Sequence, residues 1–376
     1  MKIICSKSEF LKAIQKVKGV TQQNPIKNIA EYIYIEAKGD MVYLTTTNFQ
    51  IIVKIGFKAV VEKEGDISIK SGTLSDIVRE MPDDDIELSI NDGNESGLIV
   101  TFRSKNSTES IKYDINAVSG EQFPKFPEFP ESGFYTISQD HLLNVIKSTS
   151  YAVSSGNTNP ALNGIYFKVN NKELTLAATD SRRLALVSEN VFENCDIEID
   201  SIIPIDTVSE LKSILSEEGK CELFITENKI YFKTDDIELK SDLIDGKYPN
   251  YEQVIPKDFK YNITLDKTEM VHAIRQVSIL SKESFNKVIV DIDVDEKMIR
   301  LSSTPPEVGQ ANTDVKIIDG FGGKLTIAFN SVFLKDALNN IKDDKIIFKL
   351  NTADLPALIT PKNYENYINI IMPVKI

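Results

Sequence analysis

Apolar residues recur at helical spacing in three similar segments of this 376-residue chain. Each segment begins with a residue type that often caps a helix and continues with apolar residues three or four positions apart. The segments are Ser8–Ile14, Asp140–Ile146 and Thr268–Ile274. Because nearly equal lengths of chain separate them, the pattern predicts three repeated units, each long enough to form its own core.

Strand patterns follow each predicted helix in the same order. Residues alternate between apolar and polar, as they do in half-buried strands joined by a short turn. The predicted hairpins are Glu31–Ala37 with Met41–Thr47, Leu162–Val169 with Glu173–Thr179, and Lys287–Val294 with Met298–Ser303. The second helices of the units are predicted at Thr73–Val78, Thr207–Lys212 and Phe333–Leu338. The predicted fold class is α+β, with two helices on one side of antiparallel sheet in each unit.

Two proline-containing segments mark the joints between the units. Phe123–Pro130 and Asp245–Pro256 stand at the same place in the repeat. Proline lacks the N–H that a sheet interior requires, so these segments are predicted to be linkers. The resulting domain boundaries are residues 1–125, 126–255 and 256–376.

The composition is that of an ordinary soluble protein, with 41% hydrophobic and 26% charged residues. The formal net charge of −13 argues against a protein that holds nucleic acid by its overall charge. A function on DNA would therefore need local positive charge or a topological link.

The chain has the features of a cytoplasmic protein. Met1–Cys5 reads directly as a strand rather than as a signal peptide, and no apolar run approaches a membrane span. The cysteines Cys5, Cys195 and Cys221 are unclustered, which fits a reducing compartment. We therefore expect a cytoplasmic location and no membrane partner.

Candidate chemistry is sparse. His141 and His272 occupy similar helix positions, but neither has a recognisable nucleophile or base beside it. Asp291–Asp295 begins like a calcium loop, yet Glu296 and Ser302 stand where that loop needs glycine and glutamate. The sequence predicts no catalytic residues, no cofactor and no metal.

The first helices are less acidic than the chain as a whole. The basic residues in question are Lys12, Lys16, Lys147 and Arg275. On a shared surface, such residues would present positive charge to DNA phosphates. The alternative, equally open at this point, is that they only cover a solvated helix face.

Several short motifs occur in order along the whole chain. They are Asn159–Gly164, Ala178–Ala185, Asp245–Tyr251, Ile279–Glu283, Phe329–Asn330 and Met372–Ile376. Together with the threefold repeat, they resemble the bacterial DNA polymerase III β sliding clamp family.

The resemblance implies a non-catalytic processivity factor of DNA replication. Two copies would close head to tail into a ring around duplex DNA. The ring would tether the DNA polymerase III α subunit, the clamp loader and other proteins with a clamp-binding motif. The resemblance also places Ile111 and Tyr113 on an edge strand, facing Ile279 and Leu280 on a helix of the partner chain.

The resemblance further implies one pocket for a partner peptide, between the second and third domains. Its walls would be Leu162, Thr179, Arg183, Leu184, Pro249, Val254, Ile370, Met372, Pro373 and Val374. Mainly apolar walls suit a short linear motif. Basic residues that are frequent in the family are absent before Pro25, near Ser71–Thr73, after Pro204 and at the pocket rim. At the last two positions, this chain has Ile205 and Gln253.

Two other function classes remain as alternatives. One is a repeated interaction scaffold that does not encircle DNA. The other is a hydrolase or transferase, which would need an acid, a base and a nucleophile that the sequence does not display.

Overall fold

The fold was analysed in a computed structural model of the chain. It describes residues 1–21, 28–91, 98–104, 111–124, 130, 132–154, 156, 158–192, 198–282, 285–303 and 309–376. Five residues of the first predicted linker, 125–129, therefore lie outside the described part.

Within the described residues, the α-helices are α1 Lys7–Val17, α2 Ser71–Glu80, α3 Gln139–Ser150, α4 Ile205–Ile214, α5 Lys267–Ser281 and α6 Ser331–Asn339. The strands of the first half are β1 Lys2–Ser6, β2 Tyr32–Lys38, β3 Met41–Thr47, β4 Ile51–Lys58, β5 Val60–Lys63, β6 Gly65–Lys70, β7 Asp85–Asn91, β8 Leu98–Ser104, β9 Lys112–Ser119, β10 Tyr135–Ser138, β11 Gly164–Asn170, β12 Glu173–Thr179 and β13 Arg183–Asn190. Those of the second half are β14 Glu198–Pro204, β15 Lys220–Ile225, β16 Lys229–Lys233, β17 Ile237–Asp242, β18 Tyr261–Asp266, β19 Lys287–Asp293, β20 Met298–Ser303, β21 Ala311–Phe321, β22 Lys324–Asn330, β23 Lys345–Leu350, β24 Ala357–Pro361 and β25 Tyr367–Ile371.

The chain forms two compact units, Met1–Asp140 with Ser209–Leu243, and His141–Val208 with Ile244–Ile376. The first unit contains a 13-stranded sheet in the order β10-β15-β16-β17-β4-β3-β2-β6-β9-β8-β7-β1-β5. The second contains a 12-stranded sheet in the order β14-β11-β12-β13-β25-β24-β23-β18-β21-β20-β19-β22. Each sheet thus continues from one predicted repeat into half of another.

Antiparallel strand pairing joins neighbouring repeats inside each unit. In the first unit, β4 pairs with β17 from Ile51–Ser241 to Ile55–Ile237. In the second, β13 pairs with β25 from Arg183–Ile371 to Val187–Tyr367. In both joints, the third strand after the first helix of one repeat pairs with the last strand of the next repeat. The repeats are therefore linked by main-chain hydrogen bonds as well as by the chain.

Besides the terminal strands of the two sheets, two strand segments keep one edge unpaired within the described residues. Lys112–Ala117 of β9 pairs only with β8, because β6 meets β9 only at Ser119 and Val118. Ala311–Lys316 of β21 pairs only with β20, while β18 pairs with the later residues of that strand. They are the strands that the joint pattern leaves without a partner: the last strand of the first repeat and the third strand after the first helix of the third repeat.

The helices pack on one side of each sheet, around separate cores. In the first unit, α1 contacts β3, β4 and α2, and the rings of Phe10 and Phe57 lie 5.7 Å apart. In the second unit, α5 contacts β19, β20, β21 and α6, and the rings of Phe329 and Phe348 lie 5.9 Å apart. The predicted α+β class is confirmed in both units.

One side chain at the start of each first helix contacts the end of the second helix in that repeat. Lys7 Nζ donates to the carbonyl of Met81 at 2.5 Å, and Lys267 Nζ donates to that of Ile341 at 2.8 Å. At the equivalent place in the middle repeat, Gln139 Oε1 accepts the N–H of Ser216 at 3.0 Å. These contacts satisfy backbone groups that helix ends leave unpaired.

The predicted strand Leu162–Val169 begins later than expected. Pro160–Asn163 forms a short 3-10 helix, and β11 starts at Gly164. The side chain of Asn159 accepts the N–H of Ala161 at 3.1 Å, and Pro160 occupies the first position of the turn. A capping asparagine followed by proline favours a helical turn over a strand. Leu162 consequently lies on a turn beside the sheet.

We expect Leu239→Ala to destabilise the first unit. Leu239 of β17 and its partner Val53 of β4 are both fully buried at 0% exposure, so truncation leaves a cavity at the joint. Such cavities cost about 2–5 kcal/mol of unfolding free energy. Urea unfolding followed by circular dichroism measures the change. The control is Val60→Ala on exposed β5, expected to stay within about 0.5 kcal/mol; equal effects of the two variants would contradict a packed joint.

Candidate functional site

An apolar cluster lies at the joint between β13 and β25. Leu184 of β13 and Ile370 of β25 face each other in register and are almost fully buried. Leu162 reaches them from the 3-10 turn, and the ring of Tyr248 stacks on Tyr166 with centroids 5.1 Å apart. The β13–β25 cluster comprises Ala161, Leu162, Tyr166, Ala177, Leu184, Leu186, Ile202, Tyr248 and Ile370.

Apolar side chains beside this cluster remain open to solvent. Val254 is 47% exposed and Met372 is 38% exposed. Pro249 is also exposed and directly follows the buried Tyr248. A buried apolar floor with accessible apolar rims is the composition expected of a groove that binds another chain.

The second linker supplies one rim as a short 3-10 helix, Tyr251–Val254. Asn250 Oδ1 accepts the N–H of Glu252 at 3.2 Å and so starts this turn. Burial, with smaller contributions from the neighbouring charges of Glu252 and Asp200, raises the pKa of Tyr251 to about 12. The Tyr251 hydroxyl is therefore neutral near pH 7.

The C-terminal tail, Met372–Ile376, directly follows β25 of the same joint. The Met372 N–H donates to the carbonyl of Arg182 at 2.9 Å, and the Val374 N–H donates to that of Ala328 at 2.8 Å. Two backbone hydrogen bonds thus hold the tail between the turn before β13 and strand β22. Beyond them, Ile376 is 63% exposed.

Thr179 and Arg183 do not behave as the apolar wall residues do. Thr179 Oγ1 donates to the carbonyl of Arg183 at 2.6 Å and closes the turn between β12 and β13. The Arg183 guanidinium pairs with Asp180 and Asp336. Of the ten predicted pocket residues, Leu162, Leu184 and Ile370 lie in one cluster, with Pro249, Val254 and Met372–Val374 in adjoining segments of chain.

A buried polar network anchors β25 and was not foreseen from the sequence. The Tyr151 hydroxyl donates to Asn369 Oδ1, and the Tyr367 hydroxyl donates to the carbonyl of Ser148 at 2.8 Å. Asn369 is 0% exposed and also donates to the carbonyl of Ile359. Each of the two tyrosine hydroxyls has its partner more than two hundred positions away in sequence. No local sequence pattern therefore predicts these contacts.

The predicted DNA-facing residues fall into two groups. Lys12, Lys147 and Arg275 are exposed on α1, α3 and α5. Lys16 instead donates to the carbonyls of Ser213 at 2.6 Å and Ile214 at 3.0 Å, at the end of α4. Burial lowers the pKa of Lys16. Its ammonium is thus engaged at a helix C-terminus, where positive charge is favourable.

The predicted dimer-contact residues lie beside the open strand edges. Tyr113 is on β9, and Ile111 immediately precedes that strand. Ile279, near the end of α5, is 71% exposed, whereas Leu280 is half-buried. An apolar side chain as exposed as Ile279 on a packed helix marks a candidate contact surface.

The described residues show no grouping suited to catalysis by metal. No three His, Cys, Asp or Glu side chains come together there as metal ligands. Asp291 and Asp293 are engaged by Thr326 and Lys324. Among the helices of the described part, none is long and apolar enough to cross a membrane.

Comparison with known families covers almost the whole chain. Residues 1–127 match the N-terminal domain of the DNA polymerase III beta subunit, residues 136–250 its central domain and residues 252–375 its C-terminal domain. The chain belongs to this family. It is therefore a non-catalytic processivity factor of DNA replication, as the resemblance implied, and the enzyme and scaffold alternatives are not favoured.

Individual relatives agree with this family. The beta sliding clamp of Staphylococcus aureus is 30% identical over 355 residues, which are 91% of each chain. The DNA polymerase sliding clamp of Bacillus subtilis superposes with a TM-score of 0.93 at 28% identity, covering 100% of this chain and 99% of that one. The beta subunit of Streptococcus pyogenes DNA polymerase, at 22% identity, shows the same fold with a TM-score of 0.92 and full coverage of both chains.

Proposed function

We propose that two copies of the chain close head to tail into a ring around duplex DNA. In the cytoplasm, this ring tethers the DNA polymerase III α subunit, the clamp loader and other replication or repair proteins. The observation that carries the proposal is the pair of open strand edges on β9 and β21.

The joint pattern supports head-to-tail closure. Twice within the chain, the third strand after the first helix of one repeat pairs with the last strand of the next. Applied once more, the pattern pairs β21 of one chain with β9 of its partner. A contact between two different surfaces closes into a ring when the rotations add up to a full turn. Closure would also cover both edges, which otherwise invite uncontrolled pairing.

Side chains beside these edges support the same contact. Ile279 and Leu280 follow each other near the end of α5, while Ile111 and Tyr113 lie at the start of β9. Contact across the chain boundary would remove the exposed Ile279 from water. The gain is about 25 cal/mol per Å² of apolar surface before the costs of association.

The charge of the chain favours a topological link to DNA. A net charge of −13 gives little overall attraction to phosphates. Lys12, Lys147 and Arg275 are exposed on first helices and would supply the local positive charge. Loose contacts of this kind let a ring move along DNA, while encirclement prevents its escape.

The groove around the β13–β25 cluster is the proposed tethering site. Its floor is buried and apolar, and its rims are Pro249, Val254 and Met372–Val374. An extended peptide with a glutamine and one or two large apolar residues fits such a groove. Apolar anchors would supply most of the binding energy, and polar groups beside the apolar rims, such as Gln253, would set the register.

The oligomeric state of a variant tests the proposed contact between the two chains, which we call the seam. We expect Ile279→Lys combined with Leu280→Lys to yield monomers in sedimentation velocity, because two charges would be buried against the partner. The matched control is Leu355→Lys, which changes a 45% exposed leucine in the same unit and leaves the dimer intact. A double variant that sediments as a dimer places the interface elsewhere.

DNA retention tests encirclement. Without a loader, binding should be weak and lost as salt rises, since few phosphates are neutralised. After loading onto a closed circle, the protein should stay bound at high salt and leave when a restriction enzyme linearises the circle. Gel filtration of labelled protein with DNA measures both states. Equal retention on linear and circular DNA contradicts the ring.

Removal of Met372–Ile376 tests the groove. The deletion removes one wall and should weaken binding of a labelled peptide containing glutamine, leucine and phenylalanine by about 2 kcal/mol or more. Fluorescence polarisation measures affinity, and sedimentation of the same sample should show an intact dimer. The control lacks only Lys375 and Ile376, keeps both backbone hydrogen bonds of the tail and should bind normally. Normal affinity in the longer deletion refutes this location.

A further inference from the structure

Arg183 lies at the start of β13 but does not join the apolar cluster. Successive side chains of a strand point to opposite faces, so Arg183 and Leu184 diverge. Leu184 enters the β13–β25 cluster, whereas the Arg183 guanidinium lies against α6, over the ring of Phe333 at 4.6 Å. With its side chain 12% exposed, Arg183 is largely enclosed by its own unit.

Two carboxylates hold this guanidinium. Arg183 Nε donates to Asp180 Oδ2 at 3.0 Å, and Nη1 donates to Asp336 Oδ2 at 2.7 Å. The ring of Tyr151 adds a second aromatic face at 5.4 Å. An arginine in this setting is held by both charge and stacking. Loss of one partner leaves an enclosed charge poorly compensated, so the bridge resists opening.

One end of the bridge shapes the turn that holds the tail. Asp180 Oδ1 accepts the N–H groups of Arg182 at 2.9 Å and Arg183 at 3.0 Å. Ser181, which lies between Asp180 and Arg182, has a φ of 73°, a left-handed conformation that is rare for serine. The carbonyl of Arg182 accepts the Met372 N–H at 2.9 Å. The position of this carbonyl therefore depends on the turn.

The other end of the bridge is fixed in α6. Asp336 lies in the middle of that helix, and Asn330 caps the helix by accepting the Val332 N–H at 2.9 Å. Strand β22 runs directly into the same cap and provides the Ala328 carbonyl that binds Val374. The two backbone acceptors of the tail are thus tied to each other through Asp180, Arg183 and α6.

We propose that Arg183 is a positioning residue that fixes the tail wall of the groove without itself contacting the partner peptide. Arg183 fixes the turn of residues 179–183 to α6, and this turn holds Met372 in place. A preformed wall spares the cost of ordering side chains during association. This inference rests on the groove being the tethering site.

The decisive variant is Asp336→Asn, because Asp336 belongs to no apolar wall of the groove. In free protein, we expect the Met372 amide to exchange its hydrogen about tenfold faster, since opening of the tail becomes easier. Affinity for the peptide containing glutamine, leucine and phenylalanine should fall about tenfold, the order of magnitude of ordering a few side chains. Exchange at the Phe348 amide, in the core of the same unit, should not change.

Further variants test whether the same bridge is responsible. Asp336→Glu keeps the charge and should restore part of the affinity. Arg183→Gln should cost no less than Asp336→Asn, and combining the two should add little, because they break one bridge. Asp293→Asn removes a carboxylate paired with Lys324 elsewhere in the same unit and should leave tail exchange and affinity unchanged.

The outcomes separate this inference from the proposed function. Unchanged Met372 exchange in Asp336→Asn overturns the positioning role whether or not the peptide binds. Affinity lost in Arg183→Gln but retained in Asp336→Asn assigns Arg183 a direct contact and also overturns it. If the wild-type protein binds no peptide while tail exchange responds as expected, the groove proposal fails and the link between α6 and the tail stands.

Discussion

Main-chain pairing across the joints is the interaction on which the rest of the structure depends. Exposed N–H and C=O groups of a strand edge must find partners, and in this chain they find them in the neighbouring repeat. The pairing of β4 with β17 extends one sheet across a joint, and that of β13 with β25 extends the other. The apolar cluster, the tail and the linker all gather where β13 meets β25. Without that joint there would be no groove.

Each repeat ends with the same folding back of the chain. Ser119 and Val118 pair with β6, the Ile244 N–H donates to the carbonyl of Ile202 in β14, and the Val374 N–H donates to that of Ala328 in β22. The first two contacts lead into linkers, while the third lies in the C-terminal tail. The tail is thus the third copy of a linker start, and its backbone hydrogen bond to Ala328 holds it beside β22.

The sequence predicted regular elements better than polar contacts. Met41–Thr47 and Glu173–Thr179 have the predicted bounds, because alternation over a half-buried strand leaves a clear period. The apolar run that begins at Leu162 predicts a strand, but capping by Asn159 starts a 3-10 turn there instead. The contacts of Lys16 and Arg183 were out of reach: a long charged side chain can meet partners anywhere near its tip, and Ser213 and Asp336 are remote in sequence. For the groove, family resemblance named the residues, but the opposite orientations of Arg183 and Leu184 emerged only in three dimensions.

Strand pairing of one kind, at the two joints and at the proposed contact between chains, would have an unequal result in a two-chain ring. At the joints inside a chain, the linker keeps the two strands at a high effective concentration, on the millimolar scale for short flexible connections. Two strands that separate at such a joint therefore pair again rapidly. At the seam between chains nothing covalent restores the contact, and re-pairing depends on the remainder of the ring. Transient opening of the ring would therefore occur mainly at the two seams. A closed ring built from equivalent joints would in this way have defined places for DNA to enter.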